Sequence, residues 1–174
     1  PICGGLRDNS AMTFAGHHVK LARHGFARKQ EWKLEEQSDN MVALSLSSTD
    51  HAELLAQYPY PFKIVARYTI DSEKVNVSYE VTNEGTEDMP FFVGGHPGFK
   101  CPLDEGESYD DYELRFEQRE ADELCTAVPS TGLIDVEHRS KNPMVGHDLP
   151  LTHELFDFAE TIFDVLESRV VPLT

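Results

Sequence analysis

The clearest pattern in this chain is an alternation of apolar and polar side chains over residues 75–82. The apolar positions are Val75, Val77, Tyr79 and Val81, and the polar positions between them are Asn76, Ser78, Glu80 and Thr82. Successive side chains of a β-strand point to opposite faces, so one face of this segment is apolar and the other polar. The pattern predicts a half-buried antiparallel strand.

Neighbouring segments extend this strand into a meander. Residues 62–70 are rich in β-branched and aromatic side chains, and the polar residues 71–74 supply a turn, so the two runs predict a hairpin. A second turn at residues 83–85 is followed by the apolar residues 90–93, which we expect to form a third strand. Further strands are predicted at residues 41–46, 112–116 and 165–173.

Helical periodicity is scarce. A short helix is predicted at residues 51–57, because Asp50 can cap it and Glu53 stands three residues further on, at capping-box spacing. A helical turn is predicted at residues 152–156. Many short strands, polar turns and ten prolines favour an all-β sandwich or barrel over βαβ units. The length of 174 residues predicts a single domain over residues 1–174.

The charge of the chain narrows its partners. Asp and Glu number 31 against 15 Lys and Arg, which gives a formal net charge of -16. A surface this negative repels phosphate backbones and anionic lipids, so we expect no nucleic-acid or membrane partner and favour a neutral or cationic ligand. Three cysteines without close pairing, and the lack of an apolar span or a secretory signal, predict a reducing compartment, the cytoplasm.

The segment Arg23 to Arg28 is unusual because a histidine followed by glycine stands between two arginines. Gly25 would let the backbone turn sharply and present the His24 imidazole, while Phe26 would anchor the loop in the core. The alternative is a surface histidine in a loop with two solvated arginines.

His96 stands in a second unusual segment, with Gly94 and Gly95 before it and Pro97 and Gly98 after it. The glycines free the backbone and Pro97 fixes the exit direction, so the imidazole is placed at the end of a predicted strand. Histidine donates and accepts protons near neutral pH, which suits acid/base chemistry. The alternative is a glycine-rich turn with an incidental histidine.

Other chemistries lack their motifs. Adjacent His17 and His18 face opposite sides of a strand and cannot chelate together, and His153 lacks a second histidine four residues later. His96 and Cys101 alone do not make a metal site. A cupin-like metal protein therefore rests only on β content and histidines. The sequence has no nucleophile elbow, P-loop or dinucleotide fingerprint.

Six short motifs follow one another along the chain. They are Pro1 to Gly4, His24 to Arg28, Tyr60 to Phe62, Pro90 to Phe99, Leu149 to Thr152, and Ile162 with Phe163. Together they resemble the aldose 1-epimerase (galactose mutarotase-like) family, in particular its LacX-type branch. The resemblance implies a large antiparallel β-sandwich with a sugar-binding groove, which interconverts the α and β anomers of an aldohexose without a cofactor.

The same resemblance implies roles for individual residues. His96 matches the general acid that protonates the ring oxygen, and His24 matches the histidine that holds and polarises the sugar. Arg28 closes the same motif, as a sugar ligand or as a member of a structural ion pair. The aromatic Tyr60 and Phe99 are candidates for contacts with the sugar ring, with core packing as the alternative.

Two departures from the family pattern affect this assignment. Family members commonly carry an arginine where this chain has Gly5, and Arg7 is the nearest replacement. The family's general base is a glutamate in a segment resembling Glu-Pro-Trp, whereas the single tryptophan here is Trp32. We therefore expect either a piece of a longer mutarotase-like sandwich, incomplete at both ends and inactive alone, or a carbohydrate-binding module without catalysis.

Overall fold

The computed structural model describes residues 5–157 and 160–174, and these residues form a strand-dominated fold in which every strand pairing is antiparallel. The strands of this part of the chain are β1 Ser10–Met12, β2 His18–Lys20, β3 Lys33–Ser38, β4 Met41–Ser47, β5 Phe62–Asp71, β6 Lys74–Asn83, β7 Glu113–Arg115, β8 Glu123–Val128, β9 Leu133–Lys141 and β10 Asp148–Pro150. The described residues contain only short 3-10 helices. The predicted all-β class is confirmed.

No helix in the described ranges is long and apolar enough to cross a membrane. The chain divides into two compact units, Pro1–His96 and Pro97–Thr174.

The first unit contains a four-stranded sheet in the order β3-β4-β5-β6 and the small β1–β2 hairpin. The predicted hairpin is present: β5 and β6 pair from Phe62 opposite Asn83 to Asp71 opposite Lys74. Ser72 turns the chain with a left-handed φ of 54°. The alternation of residues 75–82 therefore identified a real strand.

The apolar face of β6 is more exposed than its pattern predicts. Val75, Val77 and Tyr79 are 65%, 46% and 37% exposed. The core lies at the other end of the sheet, around Leu46 and Phe62, which are 1% and 4% exposed. The prediction that this strand is half-buried is therefore wrong, because these apolar side chains lie beyond the packed end of the sheet.

That core is an aromatic and aliphatic cluster. Its buried members are Val19, Leu46, Leu54, Tyr58, Tyr60 and Phe62, and partly buried side chains such as Phe26, Trp32, Ile64 and Met89 pack against it. Tyr58 stands near the centre, with ring centroids of Tyr60 and Phe62 at 5.2 and 5.9 Å. The cluster supports the two segments that carry the candidate histidines.

In this unit the predicted third strand is absent, and the predicted short helix lacks its predicted cap. Residues 90–93 are irregular and exposed, so β6 gains no third meander partner there. Pro90 lacks the N–H that a ladder needs. The short helix predicted at residues 51–57 is present as the 3-10 helix Ala52–Ala56. It has no side-chain cap, and the Asp50 carboxylate pairs with the Lys33 ammonium.

The second unit holds two two-stranded sheets, β7 with β10 and β8 with β9. The predicted strand at residues 112–116 is present as the shorter β7, and the predicted turn at 152–156 is the 3-10 helix His153–Phe156. The strand predicted at residues 165–173 is wrong, since only Leu173 makes a bridge, to Leu114.

Candidate functional site

The His24 loop has the sharp turn that its sequence predicts, and the turn begins one residue earlier. His24 itself has a φ of 69° and Gly25 a φ of 67°, so both lie in the left-handed region. The Gly25 N–H donates to the Ala22 carbonyl at 2.8 Å and closes the turn. A left-handed conformation costs a non-glycine residue about 1–3 kcal/mol, so the surrounding structure must hold His24 in place.

Phe26 fixes this loop to the core. Its ring lies 5.5 Å from Phe62 and 6.0 Å from Tyr58, measured between centroids. His24 thus takes a strained conformation, Gly25 a left-handed one that costs glycine little, and Phe26 is held by apolar packing. His24 is partly buried.

His96 reaches the same place from a different segment. It is exposed and ends the irregular residues 90–96. The ring centroids of His24 and His96 are 5.6 Å apart with an interplanar angle of 61°. The fold therefore brings together two histidines that are distant in sequence, at the edge of one unit.

Arg28 is not part of this pair. It lies exposed in the 3-10 helix Ala27–Lys29, directly after Phe26. The turn is fixed by the Trp32 indole N–H, which donates to the Ala27 carbonyl at 2.9 Å.

The remaining candidates separate into core and surface. Tyr60 is 2% exposed and its hydroxyl donates to Thr13 Oγ1 at 2.6 Å, which is the core-packing alternative. Phe99 is 81% exposed. Gly5 lies against the residue before His24, since a Cβ there would stand 3.8 Å from the Arg23 Cα.

Sequence reasoning missed Tyr58, which contacts both histidine-bearing segments. Its hydroxyl donates to the Pro90 carbonyl at 2.7 Å, and its ring packs on Phe26. Burial, with a further contribution from Tyr60, raises the pKa of Tyr58 to about 12, so the hydroxyl remains a donor. No local pattern encodes a contact between residues 32 positions apart; the available signal was a tyrosine two residues before the Tyr60 to Phe62 motif.

Metal-ligating side chains do not cluster in the parts of the chain that the structure describes. No group of three or more His, Cys, Asp or Glu side chains there is arranged to hold an ion. His17 instead pairs with Glu87 through Nε2 and Oε2 at 2.6 Å and contacts the edge of Tyr60.

Comparison with known proteins relates this geometry to a family. The aldose 1-epimerase family model matches residues 8–163. Protein LacX of Lactococcus lactis subsp. lactis, in a plasmid and a chromosomal form, is 39% identical over 181 residues, covering 99% of this chain and 59% of the relative. The chain thus spans 59% of the length of the curated relatives it matches.

Solved structures agree with the sequence comparison. A galactose mutarotase related enzyme from Lactobacillus acidophilus matches with a TM-score of 0.76 and 28% identity, covering 91% of this chain and 51% of that one. A galactose mutarotase-like protein from Lactobacillus casei gives a TM-score of 0.71 and 27% identity, covering 91% and 53%. The chain belongs to the aldose 1-epimerase family, in its LacX-type branch and with its galactose mutarotase-like fold.

Proposed function

We propose that this chain binds a neutral aldohexose and supplies the acid for the interconversion of its α and β anomers. The observation that carries the proposal is the His24–His96 ring pair, 5.6 Å apart, with His24 held in a left-handed conformation. Membership of the aldose 1-epimerase family supports a sugar as the ligand. A net charge of -16 favours an uncharged sugar over a sugar phosphate.

The reaction needs two proton transfers and no redox step. A base removes the proton of the anomeric hydroxyl while an acid protonates the ring oxygen, and the ring opens. The resulting carbonyl group rotates, and the ring closes by attack on the other face of that carbonyl. We assign the acid to His96, because its exposed ring is accessible to a sugar. We assign the holding and polarising role to His24 and a contact with sugar hydroxyls to the exposed Arg28.

Residues 1–174 do not contain the motif that carries the general base in this family. Trp32 is the single tryptophan, so no Glu-Pro-Trp segment is present. We therefore propose that in this chain a dissolved base accepts the anomeric proton. The second candidate function, carbohydrate binding without catalysis, is favoured by the same missing glutamate and by Gly5 in place of the family arginine.

Polarimetry of freshly dissolved α-D-galactose and α-D-glucose tests the catalytic proposal. The chain should accelerate equilibration when acetate is added as an external base, beyond the rate with acetate alone. His96→Ala should abolish this increment, since a positioned acid contributes about 10²–10⁴-fold. His18→Ala, which removes an exposed histidine of β2, is the matched control and should keep the increment.

Calorimetry with the same sugars separates the two functions. Binding together with an acetate-dependent increment supports the acid role. Binding with no increment in any buffer would assign the chain to the carbohydrate-binding alternative, and an increment that survives His96→Ala would remove His96 from the mechanism.

A further inference from the structure

Tyr58 contacts both segments that carry the paired histidines. Tyr58 is 8% exposed, and its ring lies 6.0 Å from the ring of Phe26, two residues after His24. Its hydroxyl donates to the Pro90 carbonyl at 2.7 Å, in the segment that ends at His96. One side chain thus joins the two segments.

The backbone of Tyr58 is itself well fixed. Its N–H donates to the Leu54 carbonyl at 2.8 Å, and its carbonyl accepts the Tyr60 N–H at 2.8 Å. Leu54 is 0% exposed, so this end of the 3-10 helix Ala52–Ala56 is anchored in the core. A group that orients others works best from such a rigid support.

The segment that Tyr58 holds lacks the regular support of a sheet. Residues 90–96 form no strand and are exposed throughout. Without a ladder, the position of this backbone depends on individual contacts, and the bond to the Pro90 carbonyl is one of them. Loss of the hydroxyl would release the segment upstream of His96.

We propose that Tyr58 is a positioning residue for the histidine pair. Its ring holds the His24 loop through Phe26, and its hydroxyl holds the His96 segment through the Pro90 carbonyl. The effect of Tyr58 on the distance between the two histidines does not depend on whether the chain catalyses a reaction. Its catalytic effect rests on the proposed function.

The test is Tyr58→Phe, which removes the hydroxyl and keeps the ring. In two-dimensional NMR the NOE between the ring protons of His24 and His96 should be lost. The amide resonances of the core should keep the dispersion of a folded protein. In the acetate-supported sugar assay the rate at saturating sugar should fall about tenfold or more with KM little changed, since an ångström of misplacement at a reacting group has effects of about 10².

Tyr60→Phe is the matched control, because the Tyr60 hydroxyl donates to Thr13 and not to the histidine-bearing segments. It should lose a similar amount of thermal stability and keep the NOE. The positioning role would be overturned if Tyr58→Phe kept the NOE between His24 and His96, or if Tyr58→Phe and Tyr60→Phe both lost it. It would also be overturned if the unsubstituted chain showed no such NOE. A chain that keeps the NOE pattern but turns over no sugar would overturn the proposed function alone.

Discussion

Two segments of this chain, one in each unit, satisfy their backbone in different ways. In Pro1–His96, β5 and β6 pair backbone to backbone along their full length, and the packed end of their sheet borders the aromatic cluster. In Pro97–Thr174, the backbone of residues 167–170 donates to two side chains instead, the carboxylates of Glu117 and Glu120. The first arrangement depends on apolar packing and the second on ionised oxygens.

This difference predicts different sensitivities. Apolar packing responds to lost volume and hardly to pH. A carboxylate that accepts N–H groups responds to its own protonation and to removal of the acceptor. Substitutions in the two units should therefore separate these sensitivities, and the first unit should show the larger effects.

The largest effect is expected for Leu46→Ala. Leu46 is 1% exposed in the cluster, and truncation of a buried leucine costs about 2–5 kcal/mol of unfolding free energy, because transfer energy is lost and a cavity remains. Urea denaturation followed by the fluorescence of Trp32, the single tryptophan, measures it within the first unit.

Leu34→Ala is the control for Leu46→Ala. Leu34 pairs with Leu44 of β4, which places it on the same face of the sheet as Leu46, but it is 58% exposed. The same substitution should cost less than about 1 kcal/mol there. Equal costs at the two positions would mean that the apolar face is packed along its whole length.

A smaller effect is expected for Glu120→Ala in the second unit. Glu120 is 3% exposed and accepts the N–H groups of Glu167 and Ser168, both at 2.9 Å. Its removal leaves the buried Ser168 amide without this acceptor, at a cost of about 1–3 kcal/mol. Faster hydrogen exchange at these two amides measures the loss.

Glu117→Ala tests whether burial is the reason why loss of the Glu120 carboxylate speeds amide exchange. Glu117 accepts the N–H groups of Arg169 and Val170 at 2.7 and 3.1 Å, but all three residues are exposed. Water replaces an exposed acceptor, so amide exchange should change little. A large change here would show that the carboxylates act through charge and not through satisfaction of buried donors.

The same contrast explains what the sequence predicted. The β5–β6 hairpin follows from alternation and a polar turn, because both partners are local and one face is apolar. The polar strand β3 (KLEEQS) has no such alternation and was missed. Residues 165–173 are apolar enough for a strand, but the amides of residues 167–170 donate to carboxylates some 50 residues away, which no local pattern encodes.

In the candidate site, too, the locally encoded features could be predicted from the sequence and the tertiary contacts could not. Both histidines were identified from glycine-flanked motifs, since short-range backbone freedom is visible in sequence. The left-handed conformation of His24 was not predicted, because Gly25 alone would have satisfied the turn. The ring pair with His96 and the bond from Tyr58 to Pro90 depend on tertiary packing and appear only in the folded chain.

The smallest effect is expected at the ion pair of Asp164 in the second unit. Arg139 donates to both of its oxygens, Nη1 to Oδ1 at 3.1 Å and Nη2 to Oδ2 at 2.7 Å. These bonds lower the pKa of the Asp164 carboxyl to about 2, against about 3.9 for an unfolded aspartate. The pair is partly solvated, so its contribution is modest.

The sign of this effect is fixed by the direction of the shift. Between about pH 4 and pH 2 the unfolded chain binds a proton at Asp164 that the folded chain does not, so the stabilisation is complete above that range and is lost as the pH falls through it. Asp164→Asn should therefore flatten the dependence of stability on pH in this window, measured by acid unfolding followed by far-UV circular dichroism. Asp157→Asn, an exposed aspartate nearby in the sequence, should keep the original slope, and a flattened slope in both variants would assign the effect to net charge instead of to the pair with Arg139.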